Sequence, residues 1–173
     1  MGPEVNMNRL MTTLLIVLAF CTAPFSALGA QIDGVDIVNY GIYGAGDKDE
    51  VRSAEKNTEE QGNQEKAWKL LKKGDRIPAK MATSFGIEYI IKGTPAGEPV
   101  KITLRYLHPM ISNPETGKKY TSQEVSIAAL VGKKIHEGYT FDHEWELVTG
   151  AWVIQVFYDG RKLAEQYFTV YKP

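Results

Sequence analysis

The sequence predicts an all-β domain, an immunoglobulin-like antiparallel β-sandwich of about seven strands behind an N-terminal signal peptide. Three observations carry that expectation. Beyond Pro78, apolar and polar residues alternate in short runs, the pattern of strands with one face in a core and one in water. Turn residues punctuate those runs: "HPMISNPETGKKY" (108–120) holds His-Pro, Asn-Pro and Thr-Gly. The length of 173 residues is that of one domain, and no repeat of period 20–50 is visible. A Greek-key barrel is the alternative architecture with the same pattern.

The leader comes first. Arg9 precedes an apolar run from Leu10 to Phe20, then Pro24 and the small residues of "SALGA". A charged start, a short apolar stretch and a processing site make a secretory signal peptide over 1–30, with Met7 a plausible start. Cleavage after Ala30, the first choice, leaves a mature domain of 31–173; cleavage after Gly29, the second, would leave Ala30 at its start. The location expected is periplasmic or secreted. The alternative is an N-terminal membrane anchor over 10–28, which Thr12, Thr13, Cys21, Thr22 and Pro24 weaken. Cys21 is the only cysteine. Phe20 stands where a lipoprotein site wants a small residue, so lipidation is not expected. A domain over 31–173 without cysteine has no disulfide, thiol nucleophile or cysteine-held zinc, and must rest on its core.

The mature elements follow in order. "IDGVDIVNYGIY" (32–43) is extended, with Val35, Ile37 and the Tyr40–Ile42 region apolar. Residues 44–66 hold seven acids, four bases and no aromatic ring, which predicts a charged, mobile insertion. In "AWKLLKKGDRIP" (67–78), Ala67, Leu70 and Leu71 fit a helical face ending at Gly74, and a short strand fits nearly as well. "FGIEYII" puts Phe85, Ile87, Tyr89 and Ile91 on one face. "VKITLRYL" puts Val100, Ile102, Leu104 and Tyr106 on one face and Lys101, Thr103 and Arg105 on the other. "EVSIAALVG" and "YTFDHEWELV" are the next two strands.

The C-terminal run "GAWVIQVFYDGRKLAEQYFTVYKP" (150–173) is a hairpin. A two-residue Asp159-Gly160 turn would set Ile154 opposite Glu165 and Trp152 opposite Tyr167 and so split the apolar residues between faces. A three-residue loop, Tyr158-Asp159-Gly160, pairs Phe157 with Arg161 and puts Trp152, Ile154 and Val156 on one face with Ala164, Phe168 and Val170. Burial favours that register, with Gly160 in the left-handed region.

Several stretches in fixed order carry a family resemblance: "YGIY" (40–43), "DRIPAK" (75–80), "FGIEY" (85–89), "HP" (108–109), "NPETG" (113–117) and the block 145–171. Together they resemble a bacterial domain of unknown function, the one numbered 3859. Thr149 departs from the pattern, where a proline is expected before Gly150, and the charged insert at 47–66 is fuller than the pattern requires. The resemblance implies an exported all-β domain and supplies no activity or catalytic residue.

The chemistry-bearing residues are few. His136 and His143 have Glu137, Asp142 and Glu144 beside them, yet on a strand Asp142 and Glu144 point away from His143. No metal site, cofactor or catalytic residue is expected. "GIYGAGDK" lacks the Gly-Lys-Ser/Thr ending of a phosphate loop, and "DKDE" (47–50) lacks the glycine and terminal acid of a calcium loop. No serine sits in a Gly-x-Ser-x-Gly elbow. Trp68 and Trp145 are expected in the core or an interface, with exposed ligand platforms as the alternative. The candidate binding surface is the loop 108–120, where His108, Asn113 and Glu115 offer polar contacts on a frame stiffened by Pro109, Pro114 and Gly117. The net charge is −1, and losing Arg9 and Glu4 with the leader leaves it unchanged, so neither a nucleic-acid partner nor an anionic membrane surface is expected. The leading reading is an exported, non-catalytic binding or adaptor domain of the bacterial cell envelope, with an envelope protein or ligand as partner. A structural or assembly component of an envelope complex is second, and an enzyme third.

Overall fold

The computed structural model describes residues 29–45 and 68–173. The expected signal peptide (1–30) and the expected charged insertion (44–66) fall almost entirely outside the described residues. Among the described residues nine strands form two sheets: β1 (Gln31–Ala45), β2 (Trp68–Lys73), β3 (Arg76–Pro78), β4 (Ser84–Thr94), β5 (Pro99–Ser112), β6 (Lys119–Leu130), β7 (Lys134–Thr140), β8 (Gly150–Tyr158) and β9 (Arg161–Tyr171). One sheet has the order β2-β1-β4-β7 and the other β3-β9-β8-β5-β6. All pairings are antiparallel except β3 with β9. The fold is the β-sandwich the alternation predicts, with two strands more than the seven counted.

Alternation works as expected in the central strands. Phe85, Ile87, Tyr89 and Ile91 of β4 are fully buried, as are Ile102 and Leu104 of β5. The β4 side chains face those of β5 and, beside them in the same sheet, Trp152, Ile154 and Val156 of β8 and Phe168 and Val170 of β9. Each of these side chains removes roughly 1.5–3 kcal/mol worth of apolar surface from water. Trp152 sits at the centre, its indole N–H donating to the Val148 carbonyl at 3.2 Å. Phe85 and Phe141 meet its ring edge-on at 5.6 Å, and Tyr139 lies at 4.9 Å. Rings bridge the two sheets here.

Four local expectations are corrected. Within the 67–78 stretch, Trp68–Lys73 is a strand, β2, because its backbone pairs with β1 from Gly41 to Ala45. The strand expected in "YTFDHEWELV" ends at Thr140, and Glu144–Glu146 is a 3-10 turn. The loop at 108–120 shrinks: β5 runs to Ser112 and β6 starts at Lys119, leaving Asn113–Lys118 as the turn. In the C-terminal hairpin the faces are those expected, with Trp152 opposite Phe168 and Val156 opposite Ala164. The register is reached differently. Asp159 (φ 47°) and Gly160 (φ 73°) form a tight two-residue turn with Tyr158 opposite Arg161, and a bulge beside Val156–Phe157 shifts the ladder back.

β1 is also bulged, where its pairing with β4 skips Asp33 and Val38. Val35 and Ile37 pack on the core at odd positions, Tyr40 and Ile42 at even ones, and the extra residue Val38 makes the change.

Candidate functional site

The three residues singled out in the loop lie in different surroundings. His108 continues the inward-facing series of β5 and is buried beneath the loop. Its ring lies 4.8 Å from Trp152 and 5.4 Å edge-on from Tyr120. Nδ1 sits 2.8 Å from the Pro109 carbonyl, which a neutral ring satisfies by carrying its proton there, and Nε2 has no partner. Burial lowers its pKa, and the Pro109 carbonyl opposes that shift. Asn113 is committed to the turn: its Oδ1 accepts from the Glu115 and Thr116 amides at 2.8 and 3.1 Å. Its own backbone closes the loop through Lys118 and Gly117, both at 2.9 Å. Of the three, Glu115 is exposed and without such a commitment.

Glu146, which sequence reasoning passed over, organises the adjoining end of the sandwich. It is buried, and its carboxylate accepts from the Tyr139 hydroxyl at 2.8 Å and from the Asp142 and His143 amides at 2.8 and 2.9 Å. Burial, and then the Glu146 carboxylate, push the Tyr139 phenol well above its usual range. His143 stacks on Trp145 at 4.9 Å, outside any strand. The strand-parity argument about Asp142, His143 and Glu144 therefore does not apply. Among the described residues no three His, Cys, Asp or Glu side chains gather as metal ligands would.

A second cluster lies on the outer face of the four-stranded sheet. His136 of β7 contacts Tyr43 of β1 at 4.2 Å and stacks on Trp68 of β2 at 4.8 Å. Tyr43 stands beside Ser84 and His136 beside Glu88, so the line between them crosses β4 at Gly86, which has no side chain. A Cβ there would collide with the Glu137 carbonyl. Tyr43 Oη and His136 Nε2 are buried without partners. Burial holds the His136 pKa down at about 4 against an opposing pull from Glu88, and raises the Tyr43 phenol. The positions 43, 68 and 136 carry no sequence signal that would join them.

The sheet edges differ in protection. β3 has three residues and ends in Pro78. β2 carries Lys69, Lys72 and Lys73. β7 turns Glu137 inward, opposite the buried Ile87. Short length, proline, lysine and inward charge all discourage strand addition. β6 is twelve residues long, without proline, and uncharged from Val125 to Leu130. Val125, on its inward side opposite Leu104, is 45% exposed, and Leu130 is 43% exposed.

Among the described residues no helix is long and apolar enough to cross a membrane. A search among curated proteins finds no match. An immunoglobulin-like protein from Pseudomonas aeruginosa is similar in structure, with a TM-score of 0.58 and 28% identity over 84% of this chain and 99% of that one. The alkylpurine DNA glycosylase AlkC of Pseudomonas fluorescens, bound to DNA with an abasic site analogue, covers 56% of this chain and 27% of its own at 14% identity. Its TM-score of 0.35 is too low to bear on fold or function. Residues 32–170, nearly all of the described chain, match the domain of unknown function 3859 (DUF3859), and the chain belongs to that family.

Proposed function

We propose that this chain is an exported, non-catalytic binding or adaptor domain of the bacterial cell envelope, and that it takes a partner's extended segment onto the free edge of β6. The observation that carries the reading is the contrast among edges: β2, β3 and β7 are blunted, whereas β6 is long, uncharged over its second half and apolar on its overhanging side. Strand addition at such an edge gains main-chain hydrogen bonds along its length, and Val125 and Ile127 would gain cover. Export rests on the leader pattern of residues 1–30.

The test is a photo-crosslinking residue at the exposed Ser126, in the full chain expressed in a bacterium of its own kind. A discrete adduct is expected, and Ala128→Lys should abolish it without lowering the melting temperature, because Ala128 is exposed. An adduct unaffected by Ala128→Lys, or none, removes the β6 edge and leaves the hydrogen-bonded turn Asn113–Lys118, with Glu115 at its tip, as the surface to probe. An adduct with a second copy of the chain identifies the assembly component instead of the adaptor.

A further inference from the structure

We propose that Trp68, His136 and Tyr43 form a clasp across the outer face of the four-stranded sheet, holding the edge strand β2 in place and opening when His136 takes up a proton. The clasp joins the two edge strands of the sheet, β2 and β7, which do not touch through their backbones. In the order β2-β1-β4-β7, Trp68 belongs to one edge strand and His136 to the other, with Tyr43 on β1 between them. Gly86 leaves the middle of the path open on β4.

β2 depends on this link. Among the described residues it is hydrogen-bonded on one side, to β1, and its ladder is interrupted where Leu71 bulges out, 63% exposed. Five of its six residues are exposed, with Leu70 alone half-buried, and none reaches the core cluster. A short edge ladder of this kind belongs to the low-stability end of a structure. The stack of Trp68 on His136 is what ties its first residue across the sheet.

The imidazole is placed to respond to acid. A protonated ring carries two N–H donors, and His136 Nε2 is buried without an acceptor in the closed clasp. Among the described residues, the groups facing it are these. Tyr43 on β1 is a phenol that burial keeps neutral. Trp68 on β2 does not titrate. Glu88 on β4 stands opposite His136 in the ladder, but its carboxylate is engaged by the Asn39 amide at 2.8 Å and lies 3.9 Å from the Lys134 ammonium of β7. Glu88 therefore offsets only part of the burial penalty.

The sign follows from the two states. Closed, His136 titrates at about 4; open and solvated, it returns towards 6.5. The open state binds more protons between those values, so opening is favoured as pH falls through that window and the closed clasp is complete above it. From pH 7 to pH 5 the opening constant should rise about 20-fold.

Hydrogen exchange of the full chain tests this, with rates corrected for the intrinsic effect of pH. Protection of the amides from Lys69 to Lys73 should fall about 20-fold between pH 7 and pH 5, while those of β8 keep theirs. His136→Phe keeps a ring in the stack and removes the titration, so its β2 protection should not depend on pH. Trp68→Ala should bring β2 protection to one low, pH-independent level, so that its loss relative to wild type is larger at pH 7 than at pH 5. Equal pH dependence in wild type and His136→Phe, loss of protection in β8 together with β2, or full β2 protection in Trp68→Ala would each overturn the proposal. Should His136→Phe not fold, the His136 ring resonance of the wild type decides: titration near 6.5 with β2 protection unchanged also overturns it.

Discussion

Replacing Glu146 with alanine removes one acceptor from three donors at once, and the structure allows its cost to be worked out. A hydrogen bond to a charged group contributes about 1.5–3 kcal/mol, and a buried donor left unpaired forfeits the most. The donors here are unequal. The Asp142 and His143 amides belong to exposed residues, so water can replace the carboxylate and each should lose about 0.5–1 kcal/mol. The Tyr139 hydroxyl is half-buried beside Trp152 and Phe141, and should lose about 1–2 kcal/mol. Glu146→Ala is thus expected to destabilise by about 3 kcal/mol. Glu146→Gln keeps one oxygen on the two amides and offers its NH2 group to the Tyr139 oxygen, so it should cost only about 1 kcal/mol. Urea denaturation monitored by tryptophan fluorescence measures both, and Tyr139→Phe closes a double-mutant cycle with a coupling of about 1 kcal/mol. Glu146→Ala within about 0.5 kcal/mol of wild type, or no coupling to Tyr139, would refute the view that this carboxylate pins the turn to the core.

Three further outcomes are expected. Trp152→Ala should cost about 3–5 kcal/mol in the same assay, since the side chain is 1% exposed and four rings close round it. Asn113→Ala should cost about 1 kcal/mol through its two lost amide contacts, and Glu115→Ala should leave the melting temperature unchanged. Gly160→Val should destabilise by about 1–2 kcal/mol or more because φ is 73° there, whereas Asp159→Gly, at φ 47°, should be neutral or mildly stabilising. A midpoint for Gly160→Val equal to wild type would show that the turn adopts another conformation.

Central strands are legible in a sequence because burial on one face writes itself as alternation, and β4, β5 and β8 read accordingly. His108 had the same signal, standing two residues after Tyr106 in the inward series, but the His-Pro pair reads as a turn and hid it. "FDHEWELV" alternates like a strand by coincidence: its order comes from Glu146 gathering amides, a contact that no periodicity records. The bulges in β1 were invisible, and the one in the C-terminal hairpin was expected at Gly160 instead of beside Val156–Phe157, because an extra residue costs little locally and is selected by the partner strand. The protection of an edge depends on strand order, which a single chain does not spell out. For the same reason the bare side of β6 and the meeting of Tyr43, Trp68 and His136 had to await the fold.

The two unpaired residues of β1 bear on how this strand can change in length. Every paired residue from Ile32 to Tyr43 has its side assigned by its opposite number on β4, so losing any one of them would turn part of the strand inside out. Asp33 and Val38 have no opposite number. Deleting Val38 would join Ile37 to Asn39 and leave Val35, Ile37, Tyr40 and Ile42 still directed at the core, with the local bend flattened. Deleting Asp33 would do the same for Ile32 and Val35. The strand thus has two built-in splice points, and homologues with a shorter first strand can be expected to have lost residues there first.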